Sequence, residues 1–170
     1  ISKADSFSAF NGRHQEEYVA RLWMAYKDSI EVMMDNFERG IEIRKCRNVN
    51  AYIQNEDYPH LFVSLDREIV KDPKKGIGVL EIKQTNSYMI NKWEGGIDPK
   101  HLAQVLTQIM VRVADYGELA VKVDSFDFKV YEIERLDDFM ENINVATRLF
   151  WEKVLRGREL MAERNHKIGR

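Results

Sequence analysis

The sequence predicts an α/β fold, a central mixed five-stranded sheet flanked by helices, from three observations. Two neighbouring segments, Leu61 to Val70 and Ile77 to Lys83, alternate with the period of two that belongs to strands. Segments on either side repeat apolar residues at the spacing of a helix buried along one stripe. The resulting order, helix, three strands, helix, two strands, helix, asks for a sheet covered by helices. With 170 residues, 44% hydrophobic and 11% aromatic, the chain suits one domain spanning 1–170 with a full core.

The first helix is expected from Gly12 to about Tyr26, with Tyr18, Val19, Leu22, Trp23 and Tyr26 on one face, continuing toward Asn36 until Gly40 offers a stop. Glu42 to Val49 reads as the first strand, followed by the polar turn Gln54-Asn55-Glu56-Asp57. The two alternating segments come next, separated by the turn Lys71-Asp72-Pro73-Lys74-Lys75-Gly76. Pro99 suits a helix start, where a missing N–H costs nothing. Behind it Leu102, Val105, Leu106, Ile109, Met110 and Val113 recur at helical spacing. Strands at about Glu118 to Val123 and Asp127 to Ile133 precede a long helix from about Leu136. No internal repeat, low-complexity stretch or linker interrupts this order.

The chemistry concentrates on the second and third strands. If their hairpin closes with Val70 opposite Ile77, Ile69 faces Gly78, Asp66 faces Glu81 and Ser64 faces Lys83. Period two puts Glu81 and Lys83 on one sheet face, and directly opposed residues have Cβ atoms roughly 4.5–5.5 Å apart. Two facing carboxylates repel unless they share a divalent ion. With a lysine beside them they suit metal-dependent phosphodiester hydrolysis. A six-residue loop does not fix the register, and a slip of one residue would turn one acid to the other face.

Composition narrows the function classes. A net charge of −2 with 32% charged residues describes a soluble chain and not a uniformly basic nucleic-acid binder, so DNA contacts must come from local patches. Arg148, Lys153, Arg156, Arg158, Arg164, Lys167 and Arg170 form one such patch on the last helix and tail. Its alternative role is a solvated helix face. The single cysteine, Cys46, excludes an internal disulfide, fits a reducing cytoplasm and reads as a half-buried strand thiol. No apolar run is long enough to span a bilayer and no basic-plus-apolar leader is seen, so no membrane association is expected. His14, His60, His101 and His166 lack zinc-site spacing and read as packing or surface residues. Trp23 and Trp93 read as core or edge packing.

The order of these residues resembles the phage lambda exonuclease and YqaJ-type viral recombinase family of PD-(D/E)XK nucleases. Gly12-Arg13-His14-Gln15-Glu16 is similar to its G-x-x-x-E, Ser64-Leu65-Asp66-Arg67 to its S-P-D-G, and Glu81-Ile82-Lys83 is its E-I-K verbatim. Trp93-Glu94-Gly95-Gly96-Ile97-Asp98-Pro99 resembles the connector to its glutamine helix, with Gln104 as the glutamine, and Tyr131 to Arg135 its last strand. Leu65 and Arg67 depart from the usual proline and glycine, and the family's basic N-terminal segment has no clear counterpart before Gly12.

The resemblance implies a restriction-endonuclease-like core in which Asp66, Glu81 and the Ile82 carbonyl bind Mg²⁺ or Mn²⁺, hard ions that prefer oxygen. It implies that Glu16 helps hold a second ion or a bridging water in a two-metal mechanism. Lys83 would orient the attacking water and offset transition-state charge, and Gln104 would hold water and donate to phosphate. The implied activity is a DNA exonuclease resecting duplex ends, 5′ to 3′, for phage-type recombination in the host cytoplasm. Its implied partners are a single-strand annealing protein and, in a ring-shaped homotrimer, further copies of the chain. The alternatives are a structure-specific or single-strand nuclease on the same core, and a DNA-binding domain that has lost turnover. An exposed helix acid is the ordinary reading of Glu16, a polar helix flank that of Gln104 or Gln108, and Glu68 is the local rival of Asp66.

Overall fold

A computed structural model describes residues 7–71, 76–90, 96–125 and 127–168. Helices α1 (Phe7–Ala25) and α2 (Ile30–Glu38) precede strands β1 (Lys45–Arg47), β2 (Arg67–Lys71) and β3 (Gly78–Thr85). Then follow α3 (Ser87–Ile90), α4 (Pro99–Arg112), β4 (Tyr116–Val123), β5 (Asp127–Glu134) and α5 (Asp137–Ile168). The sheet runs in chain order from β1 to β5, antiparallel throughout except for the parallel pair β3 and β4. A parallel pair cannot be closed by a hairpin, so α4 is the crossover that joins these two strands.

Helix α4 begins as its sequence dictates. Asp98 Oδ1 accepts from the Lys100 N–H at 2.8 Å and Pro99 fills the first turn. Val105, Leu106 and Ile109 bury its inner face against Val79, Leu119 and Val121, with Met140 of α5 completing that core. Helix and sheet approach so closely that a Cβ on Gly117 would stand 2.5 Å from Val105 Cγ1. The opposite sheet face buries Ile69, Leu80, Ile82 and Ala120 against Val19, Trp23 and Met33 of α1 and α2. On β3 the alternation therefore sends Leu80 and Ile82 toward α1, and Val79 and Glu81 toward α4.

Three sequence expectations are corrected. The first helix does not continue to Asn36. The Tyr26 N–H bonds back to the Trp23 carbonyl at 3.1 Å, and Ser29, extended at φ −146°, caps a new helix by accepting from the Val32 N–H at 3.3 Å. Asp28-Ser29 favours such a cap over a helix interior. Gly40, at φ 66°, does mark the stop after α2. The first strand shrinks to three residues with an irregularity between Lys45 and Cys46. The second begins only at Arg67. Upstream of it Val63 bridges Ile53 through backbone bonds of 2.8 and 3.0 Å, so Leu61 to Leu65 pairs with a loop instead of β3. Residues 72–75 of the expected turn, and Trp93, Glu94 and Gly95 of the connector, lie outside the described residues.

Candidate active site

The ladder between β2 and β3 pairs Ile69 with Gly78, Glu68 with Val79 and Arg67 with Leu80. One step further outward Asp66 comes level with Glu81, which is the register expected from the sequence. Asp66 sits just before β2, and its Oδ2 accepts the Ile82 N–H at 2.8 Å. A side chain thus takes the place of a ladder carbonyl. Burial, then the charges of Glu81 and Glu16, push the Asp66 carboxyl up to about 6 against the pull of the Ile82 N–H and Lys83.

Glu81 is 1% exposed yet fully hydrogen-bonded. Its Oε1 accepts from Lys83 Nζ, its neighbour on the same face, and from Gln104 Nε2 at 2.7 Å. Its Oε2 accepts from Gln108 Nε2 at 2.7 Å. The two glutamines stand one turn apart on α4 and so share a helix face. Gln104 is exposed, whereas Gln108 is buried and also donates to the Ser64 carbonyl at 3.1 Å. Because both of its neighbours are acceptors, the amide of Gln108 has one orientation, and its buried Oε1 has no hydrogen-bond partner among the described residues. Half-buried His101 lies on the same helix. Burial and the nearby Lys83 charge lower its pKa below the ordinary histidine value, which keeps it neutral.

On the other side of Asp66, α1 supplies Glu16 and Glu17, and both are bound by Arg67. Its Nη1 reaches Glu16 Oε1 and its Nη2 donates to Glu17 Oε2 at 2.9 Å. A cavity of about 370 Å³ opens here, lined by Glu16, Asn48, Asn50, Ser64, Asp66 and Arg67 among others. The structure thus gathers Asp66, Glu81, Ile82, Lys83 and Gln104 at one point and sets Glu16 beside them in an ion pair. Among the described residues, no three or more His, Cys, Asp and Glu side chains form a group that could hold a metal. The oxygens here that could hold a hard divalent ion are those of the Asp66 and Glu81 carboxylates and the Ile82 carbonyl. Burial first, and the neighbouring acid charges after it, hold the Asp66 proton on, and a cation beside the carboxylate would oppose both.

Gln108 and Arg67 escaped the sequence reading as site residues. Gln108, one turn from Gln104, reads in the sequence only as a polar helix flank. The reach of Arg67 to α1 had no local signal, although its place in a motif where the resembling family has glycine was one. Glu68, the rival of Asp66, is instead buried between Arg47 and Arg112, with contacts of 2.5 and 2.7 Å. Burial raises its pKa, and the two arginines more than offset this, holding it below the usual carboxylate range. Cys46 is a half-buried strand thiol, as expected, and burial pushes it up to about 11, far from a reactive thiolate. Trp23 is core, as expected.

Residues 3–116, well over half of the chain, match the model of the YqaJ-like viral recombinase domain. The chain belongs to that family. It is also similar to the crystal structure of an alkaline exonuclease, LHK-Exo, from Laribacter hongkongensis, at 17% identity and a TM-score of 0.66, over 98% of this chain and 89% of that one. LHK-Exo in complex with dAMP gives 18% identity and a TM-score of 0.70, over 98% and 78%. At such identities the likeness is one of fold, and the mixed five-stranded sheet flanked by helices is shared. None of the curated proteins matches the chain. Family membership and fold together place the chain among YqaJ-like viral recombinase domains with the fold of these exonuclease structures. No described helix is long and apolar enough to cross a membrane.

Proposed function

We propose that this chain is a Mg²⁺- or Mn²⁺-dependent DNA exonuclease that resects duplex ends, 5′ to 3′, in phage-type recombination. The observation that carries the reading is the placement of Glu81: a buried carboxylate held by Lys83 and two glutamine amides and level with Asp66, which in turn lines an open cavity. The amides orient Glu81 without neutralising it, and Lys83 is one positive charge beside both Glu81 and Asp66, which leaves net negative charge for a cation. Asp66, Glu81 and the Ile82 carbonyl would hold the ion. When bound, it supplies Lewis-acid polarisation of the phosphoryl group and offsets transition-state charge.

The chain's own residues do the rest. Lys83 Nζ, partly exposed, presents a positive charge and hydrogen-bond donors to the attacking water and to the phosphoryl oxygens as negative charge grows on them. Gln104, exposed and already donating to Glu81, offers its amide oxygen to a water. Gln108 holds Glu81 from below. Arg148, Lys153, Arg156, Arg158 and Arg164 of α5 are exposed and available to the DNA backbone, while Arg170 and the Lys167 side chain lie outside the described part. A cytoplasmic setting, a single-strand annealing partner and a homotrimer belong to the same reading.

End-labelled linear duplex with Mg²⁺ or with EDTA tests it. Metal-dependent loss of label by wild type, abolished in folded Asp66→Ala and Lys83→Ala, is the expected result, and the labelled end reports polarity. Cleavage of single strands or circles alone would make the activity a different nuclease on this core. Intact DNA that is nevertheless bound would make the chain a binding domain.

A further inference from the structure

We infer that the Arg67 guanidinium stands in for a second cation: it ties Glu16 out of the metal-ligand set and leaves the site built for one divalent ion between Asp66 and Glu81. The inference rests on the metal-dependent reading above and departs from the two-ion mechanism that the sequence resemblance implies.

Arg67 opens β2 directly after Asp66, and its side chain is only 7% exposed. Three of its contacts converge on the site. Nη1 donates to the Asp66 carbonyl at 2.6 Å and to Glu16 Oε1, and Nη2 to Glu17 Oε2 at 2.9 Å. A guanidinium does not lose its proton in a protein, so this positive charge is permanent. Glu16, Glu17 and Asp66 line the same cavity, and of the two glutamates it is Glu16 whose charge acts on Asp66, which makes Glu16 the acid that a second ion would recruit. Recruiting it would strip a buried arginine of a partner, and leaving a buried charge uncompensated is costly.

The charge balance agrees. Asp66, Glu81, Glu16 and Glu17 bring four negative charges, and Lys83 and Arg67 return two. The remaining two negative charges match one divalent cation. A second would leave the site net positive before a phosphodiester arrives. The glycine found at this position in the resembling motif could make no such clamp.

The test is a count of bound Mn²⁺ on the purified chain, by titration calorimetry and by the electron paramagnetic resonance of the free ion, with no substrate present. Wild type is expected to bind one Mn²⁺ and Arg67→Gly two, with Arg67→Gly/Glu16→Gln returning to one. Glu16→Gln alone should keep one ion. Its affinity should fall by less than about tenfold, the lower end of the loss seen when a metal ligand's support is removed. Two ions in wild type, one in folded Arg67→Gly, or a tenfold or greater loss in Glu16→Gln would each overturn the inference and leave the metal-dependent reading standing. No Mn²⁺ on wild type would remove both. Should Arg67→Gly fail to show a cooperative thermal transition, the Glu16→Gln affinity decides.

Discussion

Glu81 on β3 and Glu118 on β4 are buried carboxylates on adjacent parallel strands, 1% and 4% exposed, and they face opposite sides of the sheet. Glu118 is closed off. Arg44 Nη1 grips both its oxygens at 2.7 and 3.0 Å, Trp23 Nε1 donates at 2.6 Å, and the guanidinium of Arg44 stacks 4.4 Å from the Trp23 ring centre. Glu81 is hydrogen-bonded at both oxygens too, but two of its bonds come from neutral amides and another from a lysine partly open to solvent. Burial and hydrogen bonding are therefore common to a structural acid and to the acid of the candidate site. What separates them is that Lys83 stands beside two acids, Glu81 and Asp66, so that pair keeps net negative charge, whereas the buried Arg44 guanidinium grips both oxygens of Glu118.

The strongest way to break the comparison is Glu118→Leu. It leaves Arg44 buried without its carboxylate and should cost roughly 3–5 kcal/mol of stability. Denaturant melts would show this, while cleavage per folded molecule stays at the wild-type rate. Glu81→Gln should do the reverse. Its fold survives, and cleavage falls at least as far as the roughly 10²- to 10³-fold seen when one preorganised electrostatic group is removed. Equal stability losses in both variants would sink the distinction.

Gln108→Leu sharpens the point, because it frees Glu81 without touching the cavity. Mn²⁺ affinity should drop about 10- to 100-fold, as for other residues that orient a metal ligand. An unchanged affinity would mean that Gln104 and Lys83 alone fix the carboxylate.

The smallest expected effect is a pH dependence. Asp66 titrates at about 6 in the folded chain against an ordinary 3.8, so the folded state holds that proton more tightly than the unfolded one. Its stabilising contribution is complete below the ordinary value and is lost as pH rises through 6. Asp66→Asn has no charge to lose. In EDTA it should match wild type near pH 4 and exceed it by about 1–2 kcal/mol above pH 7, allowing for partial solvent screening. Mn²⁺ should close or invert the gap. A gap that is constant with pH would show that crowding at Asp66 is not electrostatic.

What the sequence could say about the site follows the distance over which each contact acts. The pairing of Asp66 with Glu81 was readable because strand alternation carries a register across a short hairpin. Glu81 and Lys83 needed only the period of the pleat. The two glutamines were readable as a pair, but which of them is buried depends on how α4 lies against Gly117, a matter of packing. The break after Tyr26 had its signal in Asp28-Ser29, outweighed in the sequence by apolar residues that keep their spacing beyond it. The unpaired half of the second strand had none, since Leu61 to Leu65 alternates as well as Arg67 to Val70 and is diverted by Ile53. Arg67 lay furthest from reach, because its partners are on α1.

The crossover by α4 has a kinetic consequence. Asp66 and Ile82 are 16 residues apart, Glu81 and its glutamines 23 and 27, whereas Arg67 meets Glu17 and Glu16 across 50 and 51. Closing longer loops costs more chain entropy, and contacts between distant segments slow folding. The β2–β3–α4 unit can thus assemble its acids and amides as a nearly local event, with the N-terminal helix docking afterwards and closing the remaining wall of the cavity. In refolding, protection of the Ile82 amide should precede that of the amides in α1, and during that interval Glu16 and Arg67 have not yet met.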